Sequence, residues 1–154
     1  MNNKELVLSV HYNMGREDAQ TLRDKAVAGE VTDTEIIDSE HAVPDWNPKG
    51  DYSVDKVPLE TPVRHGGQVY ALIQNHNAAN YANVEPGTEG GAPFWRIKHT
   101  TNPKKAKPWI KPTATSPYKV GECMLWTDGV VKRALRDTTF SPDEYAADWE
   151  DAVV

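Results

Sequence analysis

Two pairs of adjacent acidic residues are the first candidates for chemistry in this chain. Asp143-Glu144 and Glu150-Asp151 carry the kind of carboxylates that a glycosidase uses as acid, base or nucleophile. Glycosidase carboxylates face each other across a cleft, however, whereas neighbours on a turn point into solvent. A chain of 154 residues that is divided between small modules also has little room for a deep cleft. These pairs are therefore interpreted as solvated surface.

The other reactive residue types lack the partners that catalysis or metal binding requires. Cys123, the only cysteine, lies in an apolar segment, and a nucleophilic thiolate would need a histidine beside it. The segment Gly87-x2-Gly90-Gly91 lacks the Lys-Ser/Thr and the following helix of a phosphate-binding loop. The five histidines are scattered without the spacing of metal ligands. The sequence therefore predicts a non-enzymatic protein with no catalytic residue, no metal site and no cofactor.

An aromatic pattern that occurs twice is the most informative motif. Each copy has a tryptophan, an extended segment with a tyrosine, a hairpin that turns at glycine, and a closing proline and tryptophan. The first copy contains Trp46, Tyr52, Gly67, Pro86 and Trp95, and the second contains Trp109, Tyr118, Gly129, Pro142 and Trp149. Repetition of this kind indicates one small supersecondary unit used more than once. It predicts a first β-module at residues 44–98 and a second β-module at residues 109–154, with these large rings in their cores.

The first 43 residues have a different pattern, which predicts an N-terminal strand and a short helical hairpin. Residues 6–12 alternate loosely between apolar and polar, as a strand does. Residues 17–28 begin with acids and end before Gly29, and Thr32 and Glu35 form a capping box for a second helix. The apolar stripe of these helices is narrow, and a terminal strand needs a partner edge. We therefore expect residues 1–43 to serve as an anchor or oligomerisation segment that makes contacts outside the chain.

Together these elements predict an α+β fold that is mainly β. Paired glycines at Gly66-Gly67 and the dipeptide Asp128-Gly129 predict two hairpin turns, because both allow positive φ. No run of 18 apolar residues and no signal-peptide pattern is present, so membrane insertion is not expected.

The charge of the chain is unevenly distributed. The net charge is −6, but the stretch from Arg96 to Lys111 contains six basic residues and no acid. Because the protein is acidic overall, and Pro103 and Pro108 interrupt these residues and Pro112 follows them, we interpret the stretch, with residues 99–108 as the linker between the modules, as a solvated face or an intersubunit charge contact. Binding to nucleic acid is not expected.

The second module resembles carbohydrate-binding module family 5/12, the small chitin-binding modules of chitinases. The resemblance is carried by Tyr118-Lys119-Val120-Gly121-Glu122, the Asp128-Gly129 turn, Phe140-Ser141-Pro142 and Trp149-Glu150. It covers residues 109–150 well and residues 46–95 more loosely, and it implies a small β-fold. In that family, exposed rings after the second hairpin strand stack on sugar. The corresponding positions, Asn75-His76 and Asp137-Thr138, offer no flat ring, so chitin affinity is not carried over.

The whole arrangement is also similar to small proteins from bacteriophage tail or virion gene clusters. Residues 22–37 are similar to very short phage tail-region proteins of the XkdX type. These resemblances imply a structural protein located in the virion, on the tail, the baseplate or the capsid surface. Its expected partners are further copies of itself and other virion proteins. The alternative is a glycan-binding module that recognises a host cell-wall or surface polysaccharide.

Three aromatic residues are the candidates for contact with a glycan or a partner protein. Trp126 adjoins the Thr127-Asp128-Gly129 turn, where burial is hard to arrange. Tyr81 lies in a loop rich in Gly, Asn and Ala, and Tyr145 follows the turn at residues 141–144. For each of the three, the sequence is compatible with contact at the surface and with packing at the edge of a core.

Overall fold

The computed structural model describes residues 19–113 and 116–154. In these residues it contains two α-helices and nine short strands in three small sheets, so the prediction of an α+β fold that is mainly β is confirmed. The predicted strand at residues 6–12 lies outside the described residues. Four 3-10 turns complete the regular structure of the described residues, at Glu40–Ala42, Ala78–Asn80, Pro103–Lys105 and Ala146–Asp148.

The helix ends that lie within the described residues are those that the sequence predicts. Helix α1 covers residues 19–28 and is followed by Gly29, which has φ of +72°. Helix α2 comprises residues Asp33–Asp38. At its start the Glu35 N–H donates to Thr32 Oγ1 at 3.1 Å, and the Thr32 N–H donates to Glu35 Oε1 at 3.4 Å. The predicted capping box is therefore confirmed.

The helical hairpin packs on its own chain. Its buried apolar side chains form one cluster with a single residue of the neighbouring sheet; the members are Ala26, Ile36, Ile37, Val43 and Val69. The described part of the predicted anchor thus has a partner within the chain. Val69 of the sheet covers the narrow apolar stripe of these helices. The stripe is therefore no evidence for a contact outside the chain.

The first module contains two of the sheets. Strands β1 (Asp51–Tyr52) and β4 (His76–Asn77) form one antiparallel pair. Strands β2 (Pro62–His65), β3 (Gln68–Leu72) and β5 (Trp95–Ile97) form an antiparallel sheet in the order β2-β3-β5. All five residues of β3 are buried, because Val69 faces the helices while Tyr70 and Leu72 face the aromatic core. Gly66 and Gly67 have φ of +57° and +78°, which confirms the predicted hairpin turn.

The second module contains the third sheet. Its strands are β6 (Lys107–Pro108), β7 (Cys123–Leu125), β8 (Val131–Ala134) and β9 (Trp149–Asp151), in that order. The pair β6 and β7 is parallel, and the other neighbours are antiparallel. Gly129, with φ of +82°, lies in the turn between β7 and β8, so this hairpin is confirmed as well.

The predicted basic linker is packed against the second sheet. Lys107 and Pro108 form strand β6, and Thr100 is buried and pairs with Cys123 through an isolated bridge. The residues that connect the two modules therefore contribute backbone hydrogen bonds to the sheet that follows them.

Acidic residues of the helical hairpin neutralise part of the basic stretch. Lys98 Nζ lies 2.9 Å from Asp33 Oδ1, and the Lys98 side chain is only 3% exposed. Arg96 Nη1 lies 3.2 Å from Asp33 Oδ2, and Lys107 forms an ion pair with Glu40. The interpretation of the stretch as a solvated face is wrong for these three basic residues, because acids from α2 and the turn after it lie opposite them.

Candidate functional site

A column of stacked rings fills the core of the second module. Tyr118 lies between His99, at a centroid distance of 3.7 Å, and Trp109, at 5.2 Å, and all three rings are nearly parallel. Trp149 meets Tyr118 edge-on at 5.3 Å and Trp109 at 6.0 Å. Trp149 is 7% exposed, and its indole N–H donates to the Phe140 carbonyl at 2.9 Å. Trp149 is therefore buried beside Trp109, as the prediction that these two rings close the module requires, but Trp109 itself is only partly buried.

Every tryptophan of the chain is buried in one of two core clusters or packs against one of them. Trp95 is buried in the first module, where Trp46 packs against the same cluster. Trp149 is buried in the second module, where Trp109 and Trp126 pack around it. The side chains best suited to stack on a sugar ring are thus used to build the two small cores.

The three candidate contact residues lie in three different surroundings. Trp126 is half-buried and meets Trp109 edge-on at 5.6 Å, so it packs at the periphery of the core. Tyr81 is exposed and its nearest ring is Phe94, at 6.1 Å. Tyr145 is also exposed and lies 6.4 Å from Phe140. The structure therefore places these residues beside different rings instead of in one cluster.

Tyr145 and Phe140 form the walls of an open cleft of about 460 Å³ on the second module. Tyr145 is 48% exposed and Phe140 is 51% exposed. Their planes are inclined by 60°, so the two rings do not make a flat platform. We call this site the aromatic cleft; its other lining residues include Pro117, Arg136, Asp137 and Thr138.

A buried carboxylate holds the arginine of the aromatic cleft in place. Asp148, at the end of the 3-10 turn Ala146–Asp148, is buried and accepts a hydrogen bond from Thr138 Oγ1 at 2.6 Å. Its other oxygen, Oδ1, lies 2.7 Å from Arg136 Nε. The Arg136 guanidinium in turn lies 5.7 Å from the centre of the Tyr145 ring. This geometry positions a cation beside an aromatic ring, as many polar binding sites do.

The surroundings of the aromatic cleft are acidic. Asp137 lines it and accepts a hydrogen bond from the Val120 N–H at 2.9 Å. Asp143 and Glu144 are exposed on the turn that leads into Tyr145. The Arg136 charge is compensated by Asp148, so Asp137 in the lining, together with the exposed Asp143 and Glu144 that precede Tyr145 in the chain, gives this part of the module a negative charge. It can therefore accept a cationic or hydroxyl-rich group next to its rings.

Sequence reasoning missed Phe140 and Arg136 as members of this site. Phe140 was considered only as part of the family motif Phe140-Ser141-Pro142. A large apolar residue between a run of threonines and a proline turn is a signal that could have been used, because such turns expose their side chains. The residues around Arg136 do not indicate a binding role, because its position in the cleft depends on the ion pair with Asp148.

A second, polar cavity lies where the helical hairpin meets both modules. Its volume is about 300 Å³, and Asp33, Arg96, His99, Lys119 and Glu122 line it. Burial lowers the pKa of His99 to about 4 and raises the pKa of Glu122. Burial also acts to raise the pKa of Asp33, but the neighbouring Lys98 and Arg96 outweigh it and hold that pKa below its usual value. Asp33 is paired with Arg96 and Lys98, and Glu122 Oε1 accepts a hydrogen bond from the Lys119 N–H at 2.6 Å, so we interpret this cavity as part of the packing between the elements.

The residues first considered for catalysis occupy ordinary structural positions. Cys123 is buried, and burial raises the pKa of its thiol. Glu150 lies 3.5 Å from Arg133, and Asp151 lies 2.5 Å from Lys132. Within residues 19–113 and 116–154, no group of three His, Cys, Asp or Glu side chains could hold a metal ion. None of the helices in the described residues has the length and hydrophobicity needed to span a bilayer.

Stability is expected to fall on acidification because of His99. The pKa of this histidine is about 4 in the folded state and 6.5 as an ordinary histidine, so the unfolded state binds more protons between these values. The free energy of unfolding should therefore decrease as pH falls from 6.5 to 4, by about 3 kcal/mol from this residue. Urea unfolding at a series of pH values should show a flatter dependence for His99→Phe, which keeps a ring against Tyr118. An equal slope in both proteins would contradict this.

Comparison with known proteins leaves the family open. No protein-family model matches the chain, and no curated protein matches it.

Proposed function

We propose that this protein is a non-enzymatic structural protein of a bacteriophage virion, part of the tail, the baseplate or the capsid surface. Its two small β-modules, which resemble carbohydrate-binding module family 5/12, would serve for assembly or display. The helical hairpin braces the first module in this proposal. Further copies of the chain and other virion proteins are the proposed partners.

The observation that supports this proposal is that two tryptophans are buried in the two cores and the other three pack against them. A module that holds sugar by stacking must leave large rings exposed and roughly coplanar. Here the two half-exposed rings of the aromatic cleft, Phe140 and Tyr145, are inclined by 60° and lie beside Arg136. Tyrosine and arginine are enriched at the energetic centres of protein–protein interfaces. The cleft therefore supports contact with protein better than contact with the face of a sugar.

Localisation in particles tests the proposal directly. Phage particles purified from a lysate of cells that encode this chain should contain the protein in stoichiometric amounts by mass spectrometry. Immunogold electron microscopy with an antibody to the chain should label one defined part of the particle. Recovery of the protein only in the soluble fraction, with unlabelled particles, would refute the virion assignment.

A glycan-binding role is the second candidate, and one observation favours it. The aromatic cleft has a volume within the range of small-molecule sites and combines two rings with polar groups of Arg136, Asp137 and Thr138. A polysaccharide of the host cell wall or surface would be the ligand. Tyr145 is the candidate contact in this cleft, whereas Trp126 and Tyr81 lie elsewhere on the chain.

We expect no measurable binding of this protein to crystalline chitin, because a flat exposed platform is missing. For other surface glycans we expect at most weak binding, with Kd on the order of 1 mM. A pull-down on insoluble chitin and on purified host cell wall measures both, with Tyr145→Ala and Trp126→Ala as matched variants. Retention of the wild type together with release of either variant would favour the glycan-binding role over assembly.

A further inference from the structure

We propose that copies of this chain associate head to tail, with the exposed basic turn of one copy bound in the aromatic cleft of the next. The basic turn is the 3-10 turn Pro103–Lys105, which presents Lys104 and Lys105. This inference rests on the assembly role proposed above, and it names both surfaces of the contact.

The basic turn is rigid and its charges are uncompensated. Asn102 caps it, since its Oδ1 accepts a hydrogen bond from the Lys104 N–H at 3.1 Å, and Pro103 fixes the first position. Lys104 and Lys105 are exposed, and among the ion pairs of the described residues neither lysine takes part. Lys98 and Lys107, in contrast, are already paired with acids of their own chain. Lys111 is also exposed and takes part in no ion pair of the described residues, but only the basic turn places two such lysines side by side, so it is the part of the basic stretch best suited to bind another molecule.

The aromatic cleft is complementary to such a turn in charge and in chemistry. Asp143 forms no ion pair among the described residues, and Asp137 and Glu144 bring further negative charge. An ammonium group that approaches the face of Phe140 gains a cation–π interaction in addition to these charges, whereas the Tyr145 ring already has the Arg136 guanidinium beside it. Lysine also has an apolar stem, which can cover the exposed ring surface while its charge reaches the acids.

The two surfaces differ, so the contact is heterologous. The basic turn precedes β6, while the aromatic cleft is formed by the segment between β8 and β9. Each copy can therefore donate its basic turn to one neighbour and accept a basic turn from another. A repeated heterologous contact closes into a ring or extends as a filament, which are the arrangements that a repeating component of a particle needs.

Sedimentation velocity at tens of micromolar protein tests the contact. The wild type should form species larger than a dimer at about 0.05 M NaCl and should dissociate at about 0.5 M, where charges are screened more strongly. Lys104→Glu/Lys105→Glu should weaken self-association at least about tenfold, as expected for loss of about 1.4 kcal/mol or more. Lys25→Glu/Lys49→Glu makes the same change in net charge at exposed lysines far from the turn in sequence, and it should assemble like the wild type.

A reciprocal variant makes the test specific to this pair of surfaces. Asp143→Lys/Glu144→Lys should also be monomeric, and an equimolar mixture with Lys104→Glu/Lys105→Glu should regain assembly because the charges are exchanged. Glu144 accepts a hydrogen bond from the Ser141 N–H at 3.1 Å, so a thermal melt must show that this variant is folded. If it is not folded, Asp143→Lys alone replaces it in the mixture.

Three results would overturn the inference. They are a monomeric wild type at low salt, assembly that survives Lys104→Glu/Lys105→Glu, and equal loss in the Lys25→Glu/Lys49→Glu control. The failure of this contact is distinguishable from failure of the proposed function. A monomeric protein that is still found in purified particles overturns only the head-to-tail contact, whereas a protein that is absent from particles overturns the virion role.

Discussion

Replacing Trp149 with alanine should lower the free energy of unfolding by about 3–5 kcal/mol, the range for a buried large aromatic side chain. Trp149 closes the core of the second module, where it contacts Trp109 and Tyr118 and donates a hydrogen bond to the Phe140 carbonyl. Its loss leaves a cavity next to Tyr118 and Trp109, in a core with only four buried members. We expect the variant to lose cooperative unfolding of the second module.

Urea unfolding followed by circular dichroism and tryptophan fluorescence measures this loss. Trp126→Ala is the matched control, because Trp126 packs at the edge of the same core and is half-buried. It should cost clearly less, about 1–2 kcal/mol. A change below about 1 kcal/mol for Trp149→Ala would contradict its role in closing the module.

The second large effect is expected at the ion pair between Asp33 and Lys98. Asp33→Ala should destabilise the protein by about 3–5 kcal/mol, because it leaves the Lys98 ammonium buried without its partner. Arg96 also loses its contact with Asp33 but keeps Glu60, at 3.5 Å. The helical hairpin should then keep its apolar cluster around Val69 and the hydrogen bonds of Thr34 and Asp38 to the basic stretch.

A double variant separates loss of the pair from exposure of an unpaired charge. Asp33→Ala/Lys98→Met removes both charges, so it should recover much of the stability that Asp33→Ala loses. Urea is the suitable denaturant, since a salt would screen the interaction. Equal destabilisation in the single and the double variant would contradict the unpaired Lys98 charge as the cause.

The same pair predicts a pH dependence with a defined sign. The pKa of Asp33 is lowered in the folded state from its ordinary value of 3.8. Its contribution to stability is therefore fully present above pH 3.8 and is lost as pH falls through the lower, folded pKa. The difference in stability between the wild type and Asp33→Ala should shrink in that acidic range.

The sequence by itself determined the features that depend on neighbouring residues. The turns at Gly66-Gly67 and Asp128-Gly129 require positive φ, which glycine adopts without a steric penalty, so the dipeptides predicted both hairpins. The capping box of Thr32 and Glu35 involves only residues three positions apart. Trp149 could be assigned to a core because a small module needs its largest ring for burial.

Only the tertiary structure decided which distant residues meet. Lys98 and Asp33 are 65 positions apart, so no local spacing could show that they neutralise each other. Val69 joins the helical cluster because β3 is covered on both faces, which depends on the docking of the hairpin. The composition of the candidate site also depends on the tertiary structure. Tyr145 lies beside Phe140 and Arg136, and it does not cluster with Trp126 or Tyr81. Contacts between elements depend on how the elements pack together, and residue spacing along a chain carries little of that information.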